Sequence, residues 1–242
     1  MINSASAANL LKVKKTQIEM IRDRGGVISD NEKNLLTYES DIEEHVNGFI
    51  NIYQGFVAAQ KIPFRRALNY IYELPDGSRI LVYYASPEAG TSKLGVGPLK
   101  EVLGEAKKIE KLRTLVIVTD VDLSPDAYKA ILDIKTYNIQ HFFDANLKYN
   151  PTKHIFVPKH RALSDEDARD FLTRNSLKPG QLPILKYVDP ITRMTDKDRK
   201  RQTDPIVSYY DFRPGQIIEI QRVNFITETL VIKQTVYRVV SY

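Results

Sequence analysis

Three sets of residues in this 242-residue chain have types and spacings that could do chemistry. Pro75-Asp76 followed by Glu105-Ala106-Lys107 loosely matches a pattern in which two carboxylates hold a metal ion while a lysine activates water for phosphodiester cleavage. That chemistry wants the three side by side on one strand. The sequence instead puts Asp76 at a hairpin tip and Glu105 and Lys107 on a helix, pointing in different directions around it, as ordinary surface charges do. Gly90-Thr91-Ser92-Lys93-Leu94-Gly95 has the two-glycine spacing of a phosphate-cradling loop. Val96 and Gly97 follow it, where a lysine and a magnesium-binding hydroxyl belong, so charge and metal are both missing. Of the four histidines, His45 and His141 stand alone, and His154 and His160 lie six apart across a proline with no carboxylate at ligand spacing. Neither G-x-S-x-G nor H-E-x-x-H occurs. The expectation is a chain with no catalytic residue, no metal site and no cofactor.

Two features argue for binding instead. Ser124-Pro125-Asp126-Ala127 combines an N-cap serine with proline at the first helical position, which leaves helix amides pointing outward. Lys197-Asp198-Arg199-Lys200-Arg201 is a basic run, a solvated loop or a contact for nucleic acid or an acidic partner surface.

Composition sets the frame. A hydrophobic content of 43 % with 27 % charged residues describes an ordinary globular chain, large enough for one big domain or two small ones. With no cysteine there are no disulfides, thiolate zinc sites or cysteine nucleophiles. No apolar run reaches membrane-spanning length and the first residues lack a secretory signal's apolar stretch, so no membrane partner is expected. The net charge of +5 permits contact with nucleic acid without demanding it.

The elements that would position these residues come next. Residues 5–24 read as an amphipathic helix, with Leu10, Val13, Ile18 and Ile21 on one half and Lys12, Lys15 and Glu19 opposite. Ser29 or Asp30 can cap a second helix. A strand is expected over Phe49–Val57, then a hairpin around Pro75-Asp76-Gly77. Ala89–Pro98 reads as a glycine-rich loop and Pro98–Leu112 as a helix. Thr114–Val118 is an apolar run with the mark of a buried strand, followed by a helix over Ser124–Ile134 and a strand over Ile139–Phe143. Strands alternating with helices predict a layered α/β domain over residues 1–149. Residues 150–242 read as a small α+β module. It has an extended Ile155-Phe156-Val157 stopped by Pro158, a helix capped by Ser164, a turn at Arg213-Pro214-Gly215 and strands at Gln216–Arg222 and Val236–Val240.

The order of these pieces carries a resemblance. His154, Val157, Pro158 and His160, then Leu182-Pro183, then Asp204-Pro205, then Arg213-Pro214-Gly215 closely resemble the shared assembly subunit of cellular RNA polymerases, the fifth-largest polypeptide of the eukaryotic enzymes, which has a shorter archaeal counterpart. Leu182 to Asp189 and Asp204 to Gly215 keep the family's two intervals, so the stretch between the two Asp-Pro-Ile copies looks like an insertion. The opening LKVKKTQIEMIRDRGG is similar to the first helix of the longer, eukaryotic type.

The resemblance implies an N-terminal jaw with a nuclease-like fold but no nuclease chemistry, and a C-terminal assembly module whose motif residues face the polymerase. It implies as partners the largest polymerase subunit, the other subunits and, through Ser124-Pro125-Asp126-Ala127, downstream double-stranded DNA. Asp126 stands where the family has a serine, and its carboxylate competes with a phosphate there. The implied place is the nucleus, or a virion or cytoplasmic viral factory if the chain is viral. The competing expectations are a metal-dependent nuclease, degenerate or active, and a free-standing nucleic-acid-binding protein.

Overall fold

The computed structural model describes residues 2–188, 203–225 and 231–242. The chain divides into two compact units, Met1–Asn150 and Pro151–Tyr242. Helix and sheet are mixed in both.

The first unit is built on a four-stranded sheet. Its strands are β1 (Tyr70–Glu73), β2 (Arg79–Tyr84), β4 (Leu112–Thr119) and β6 (Asn138–Phe143), in the order β1-β2-β4-β6. β1 and β2 form the hairpin expected of Asp76-Gly77, where Gly77 takes φ +75°, a conformation that costs glycine nothing. β2, β4 and β6 run parallel, as helical crossovers require. Alternation along the strands sends side chains to both faces. Leu81, Tyr83, Leu115 and Ile117 pack with α4 (Val96–Lys107) and α5 (Pro125–Leu132). Tyr72 and Tyr84 point the other way, towards α1 (Ser4–Asp23), whose Lys14 and Gln17 they meet. A minor parallel pair, β3 (Lys93–Leu94) and β5 (Asp122–Leu123), ties the loops ahead of α4 and α5 together.

Several expectations are corrected here. Phe49–Val57 is not a strand but part of α3 (Glu43–Gln60). Val46 and Phe49 are its buried positions, and Phe49, Tyr53 and Phe64 form a cluster of ring contacts, a spacing only a helix supplies. α1 is not two-sided. Glu19 on its supposed solvent face is buried and accepts a hydrogen bond from Asn150, and Lys14 is buried beside Glu32 of α2 (Asp30–Thr37). α4 stops at Lys107 rather than Leu112. Lys111 adopts φ +55°, and Leu112 already starts β4. The glycine-rich stretch is in part structured, since Lys93–Leu94 is β3 and α4 opens at Val96. A short helix, α6 (Asp144–Leu147), follows β6.

The second unit has its own sheet, of β7 (Lys159–Ala162), β9 (Ile217–Phe225), β10 (Val231–Ser241) and β8 (Ile184–Lys186), in the order β7-β9-β10-β8. β7 and β9 are antiparallel, β9 and β10 form an antiparallel pair, and β8 lies parallel to β10. α7 (Asp165–Arg174) covers one end of one face, its Phe171 and Leu172 packing on Leu182, Ile217 and Val239. α8 (Pro205–Tyr210) brings Ile206 and Val207 onto Leu185, Ile218, Ile220 and Val240. The apolar run Ile155-Phe156 is not extended as expected. It forms the tip of a turn in which the Val157 N–H donates to His154 C=O at 2.8 Å, and the strand begins after Pro158, not before it.

Candidate interaction site

The motif residues of the C-terminal unit divide into those that hold its fold and those that reach solvent. Leu182 is a core residue at 8 % exposure, while Pro183 beside it is exposed. Asp204 caps α8, its Oδ1 accepting from the Ile206 and Val207 N–H groups at 2.8 and 3.4 Å, with Pro205 at the first helical position. Arg213-Pro214-Gly215 is a tight turn: the Gln216 N–H donates to Arg213 C=O at 3.1 Å, and Gly215 sits at φ +92°, as the third residue of a type II turn demands. The Gly215 N–H donates to Val240 C=O at 2.9 Å, which locks the turn onto the sheet.

His160 lies on β7, half-buried, with Nδ1 at 2.7 Å from Pro158 C=O. Burial pulls its pKa down. The Pro158 bond and Asp204 oppose that, while Arg238 and Arg222 add to it. His154 is exposed, its ring near that of Phe156, and Val157 is partly buried against the α8 cluster. All ten motif residues expected to meet a partner therefore fall within one unit, but Leu182, Asp204 and Gly215 have work inside it.

Ile155 and Phe156 are not among those ten, yet they are exposed by 86 % and 85 %. Their apolar types were legible, but their projection depends on the turn closed at Val157.

In the first unit, Ser124 Oγ accepts from the Ala127 N–H at 3.2 Å, Pro125 takes the first helical position and Asp126 lies 3.6 Å from Lys129. One outward amide is thus already taken by the cap. Asp76 sits in the hairpin turn, accepting from Ser78, and lies 3.6 Å from Arg113; Glu105 on α4 pairs with Lys108, the residue that caps it. Lys107 is exposed at the end of the same helix. The central strand that should carry such a set offers Val116-Ile117-Val118, all buried. Among the described residues no three His, Asp or Glu side chains are grouped so as to hold a metal ion, and no helix is long and apolar enough to cross a membrane. The basic run at 197–201 and Asp189 lie outside the described residues.

Comparison with known proteins accords with this layout. Residues 149–201 match the family model of the RNA polymerase Rpb5 C-terminal domain, a span that takes in His154 to Pro183. The chain is 26 % identical over 214 residues to subunit RPABC1 of DNA-directed RNA polymerases I, II and III from Caenorhabditis elegans, covering 88 % of each chain. It is 27 % identical over 220 residues to the DNA-directed RNA polymerase subunit 5-like protein 1 of Arabidopsis thaliana, again 88 % of each. The Dictyostelium discoideum rpabc1 subunit is 26 % identical over 216 residues, 88 % of this chain and 89 % of that one. The likeness that His154, Pro158, His160 and Leu182-Pro183 carry in the sequence is borne out: along most of its length this chain is similar to the shared Rpb5-type subunit of the DNA-directed RNA polymerases.

Proposed function

We propose that the chain is a non-catalytic subunit of a DNA-dependent RNA polymerase, held there by its C-terminal unit and flanking the entering DNA with its N-terminal one. The observation that carries this is the ordered motif set His160, Leu182-Pro183, Asp204-Pro205 and Arg213-Pro214-Gly215, gathered on one sheet and its capping helix. The first unit's parallel strands, with helices packed on Leu81, Tyr83 and Leu115 and α1 on the other face, support a nuclease-like jaw fold. The separation of Asp76 on a hairpin from Glu105 and Lys107 on a helix supports the lack of cleavage chemistry. Polymer synthesis and its magnesium would then reside in the large subunits, and this chain would brace the largest. Its place would be the nucleus in a eukaryote, or a virion or cytoplasmic factory in a virus.

Affinity purification of the full chain at native expression tests this. Large polymerase subunits should co-purify at a fixed ratio. A lone monomer that cleaves DNA with magnesium, and loses the activity in Glu105→Ala, would sink it.

A further inference from the structure

Charge is divided unevenly between the two units. Residues 1–150 carry nineteen Lys and Arg against nineteen Asp and Glu, and residues 151–242 carry sixteen against eleven. The chain's whole excess of +5 therefore belongs to the C-terminal unit. Within that unit the four strands hold Lys159, Arg161, Lys186, Arg222, Lys233 and Arg238, with Glu219 as their one acid.

The register shows how part of this charge is presented. Arg161 faces Glu219 and pairs with it at 3.1 Å while its own side chain stays 63 % exposed, and Lys159 faces Gln221, which in turn faces Thr235, all on the face where Ile217 and Val239 meet α7. α7 reaches along this face to Tyr237, whose ring lies 4.1 Å from that of Phe171. Beyond it, Lys159, Gln221, Val223, Lys233 and Thr235 are exposed.

β7 is also the edge of the sheet. The Leu163 N–H donates to Ile217 C=O at 2.9 Å, so in the antiparallel alternation Leu163, Arg161 and Lys159 spend their backbone groups on β9. The N–H and C=O groups of His160 and Ala162 point away from the sheet, and among the described residues nothing pairs with them.

We propose that this edge takes up an acidic, extended polypeptide segment as an added strand. A strand laid against β7 would close its hydrogen bonds on His160 and Ala162, and would set alternate side chains about 5 Å from Lys159 and Arg161. Those two cations stand about 7 Å apart along the strand, the repeat of every second residue in a partner strand. Carboxylates at those positions complete the match. The same two cations repel a second copy of this edge, so they select an acidic partner over self-association. A nucleic acid fits less well. The edge offers C=O acceptors as well as N–H donors, and a phosphate chain has only acceptors to give. Among the described side chains of the strands on that face, Tyr237 is the aromatic one, and its ring lies against Phe171, 4.1 Å away.

This goes beyond the assignment as a polymerase subunit and fails separately from it, since a full chain that captures no acidic peptide can still co-purify with the large subunits. The test uses the full chain and a labelled synthetic peptide of about ten residues alternating Glu and Val, the length of an added strand with short flanks. A Lys/Val peptide and a single-stranded DNA of similar charge serve as comparisons. Fluorescence anisotropy should show the acidic peptide binding, more weakly as salt rises, and the Lys/Val peptide not. Lys159→Glu with Arg161→Glu should weaken it more than about tenfold. Ala162→Pro removes an outward N–H from an edge strand, which tolerates proline, and should weaken binding while the thermal midpoint holds. Unchanged affinity in Ala162→Pro would overturn strand addition. No binding of the acidic peptide, or tighter binding of the DNA than of the peptide with the same loss in the charge-reversed variant, would overturn the partner class.

Discussion

Lys14 and Glu32 form an ion pair 3.1 Å apart in the interior of the first unit, their side chains 1 % and 3 % exposed. Two charges survive there because every donor is used. Lys14 Nζ also donates to Gln17 Oε1 at 2.9 Å and to Leu68 C=O at 3.3 Å, and the Tyr72 hydroxyl donates to Glu32. Burial pulls the Lys14 pKa down while Glu32 holds it up, and burial followed by Glu32 pushes the Tyr72 phenol well above its ordinary value. Removing one partner strands the other. Lys14→Met or Glu32→Gln should each cost about 3–5 kcal/mol in urea unfolding, and the double variant should recover much of that loss. Equal, additive losses in the double variant would show that the pair is not coupled. His160 sets a pH dependence of the other unit. Its folded pKa is lowered, so the neutral ring is the stable form; the stabilisation is full above about pH 6.5 and is lost as pH falls through the lower, folded value. Thermal midpoints of the chain should fall between neutral and mildly acidic pH, and His160→Asn should flatten that slope.

At the scale of elements, punctuation was legible and long-range partnership was not. The caps at Ser29, Ser124 and Ser164, the Asp76-Gly77 hairpin and the apolar strand through Val116 could be read because each signal lies within a few residues of its effect. Lys14 could not be placed in the core, because nothing near it announces Glu32 and Tyr72. Phe49–Val57 resembles a strand because it is rich in strand-forming types, and only Phe64 on the following turn shows which period is buried.

The turn at Gly215 bears out the local reading. Its Cβ position is open, so a substitution meets backbone strain and not a clash, and Gly215→Val should cost roughly 1–3 kcal/mol in chemical denaturation. The expected insertion can be tested in the same terms. Val188 and Thr203 are clasped through the Thr203 hydroxyl, and the Asp204 N–H donates to Lys186 C=O at 2.9 Å. Deleting residues 191–205 gives the same sequence as deleting 189–203, Tyr187-Val188-Asp-Pro-Ile206, because the flanking Asp-Pro pairs are identical. The surviving aspartate then lies three residues after Lys186, so its N–H bond becomes that of an ordinary β-turn. Stability should shift by only about 1 kcal/mol, and global unfolding of the deletion variant would show that the removed segment packs into the core.

For the whole molecule, the question is which half holds the chain to its partner. Each unit closes a core of its own: Leu115 and Ile117 with α4 and α5 in the first, Ile218 and Ile220 with α8 and Ile217 with α7 in the second. Asn150 is drawn to the first unit through Glu19. A fragment from Pro151 to Tyr242, which carries its own core, should therefore fold alone with a cooperative transition. The ordered motif set, the exposed Ile155-Phe156 pair and the net positive charge all belong to that fragment, whereas residues 1–150 are balanced in charge. In a reciprocal pull-down against the largest polymerase subunit, the C-terminal fragment should be retained and the N-terminal one should wash through. Ile155→Ser with Phe156→Ser should weaken retention while leaving the fragment's unfolding curve in place, because both side chains already face solvent and contribute little to the fold. Retention of residues 1–150 with loss of the C-terminal fragment would reverse the roles of the two units.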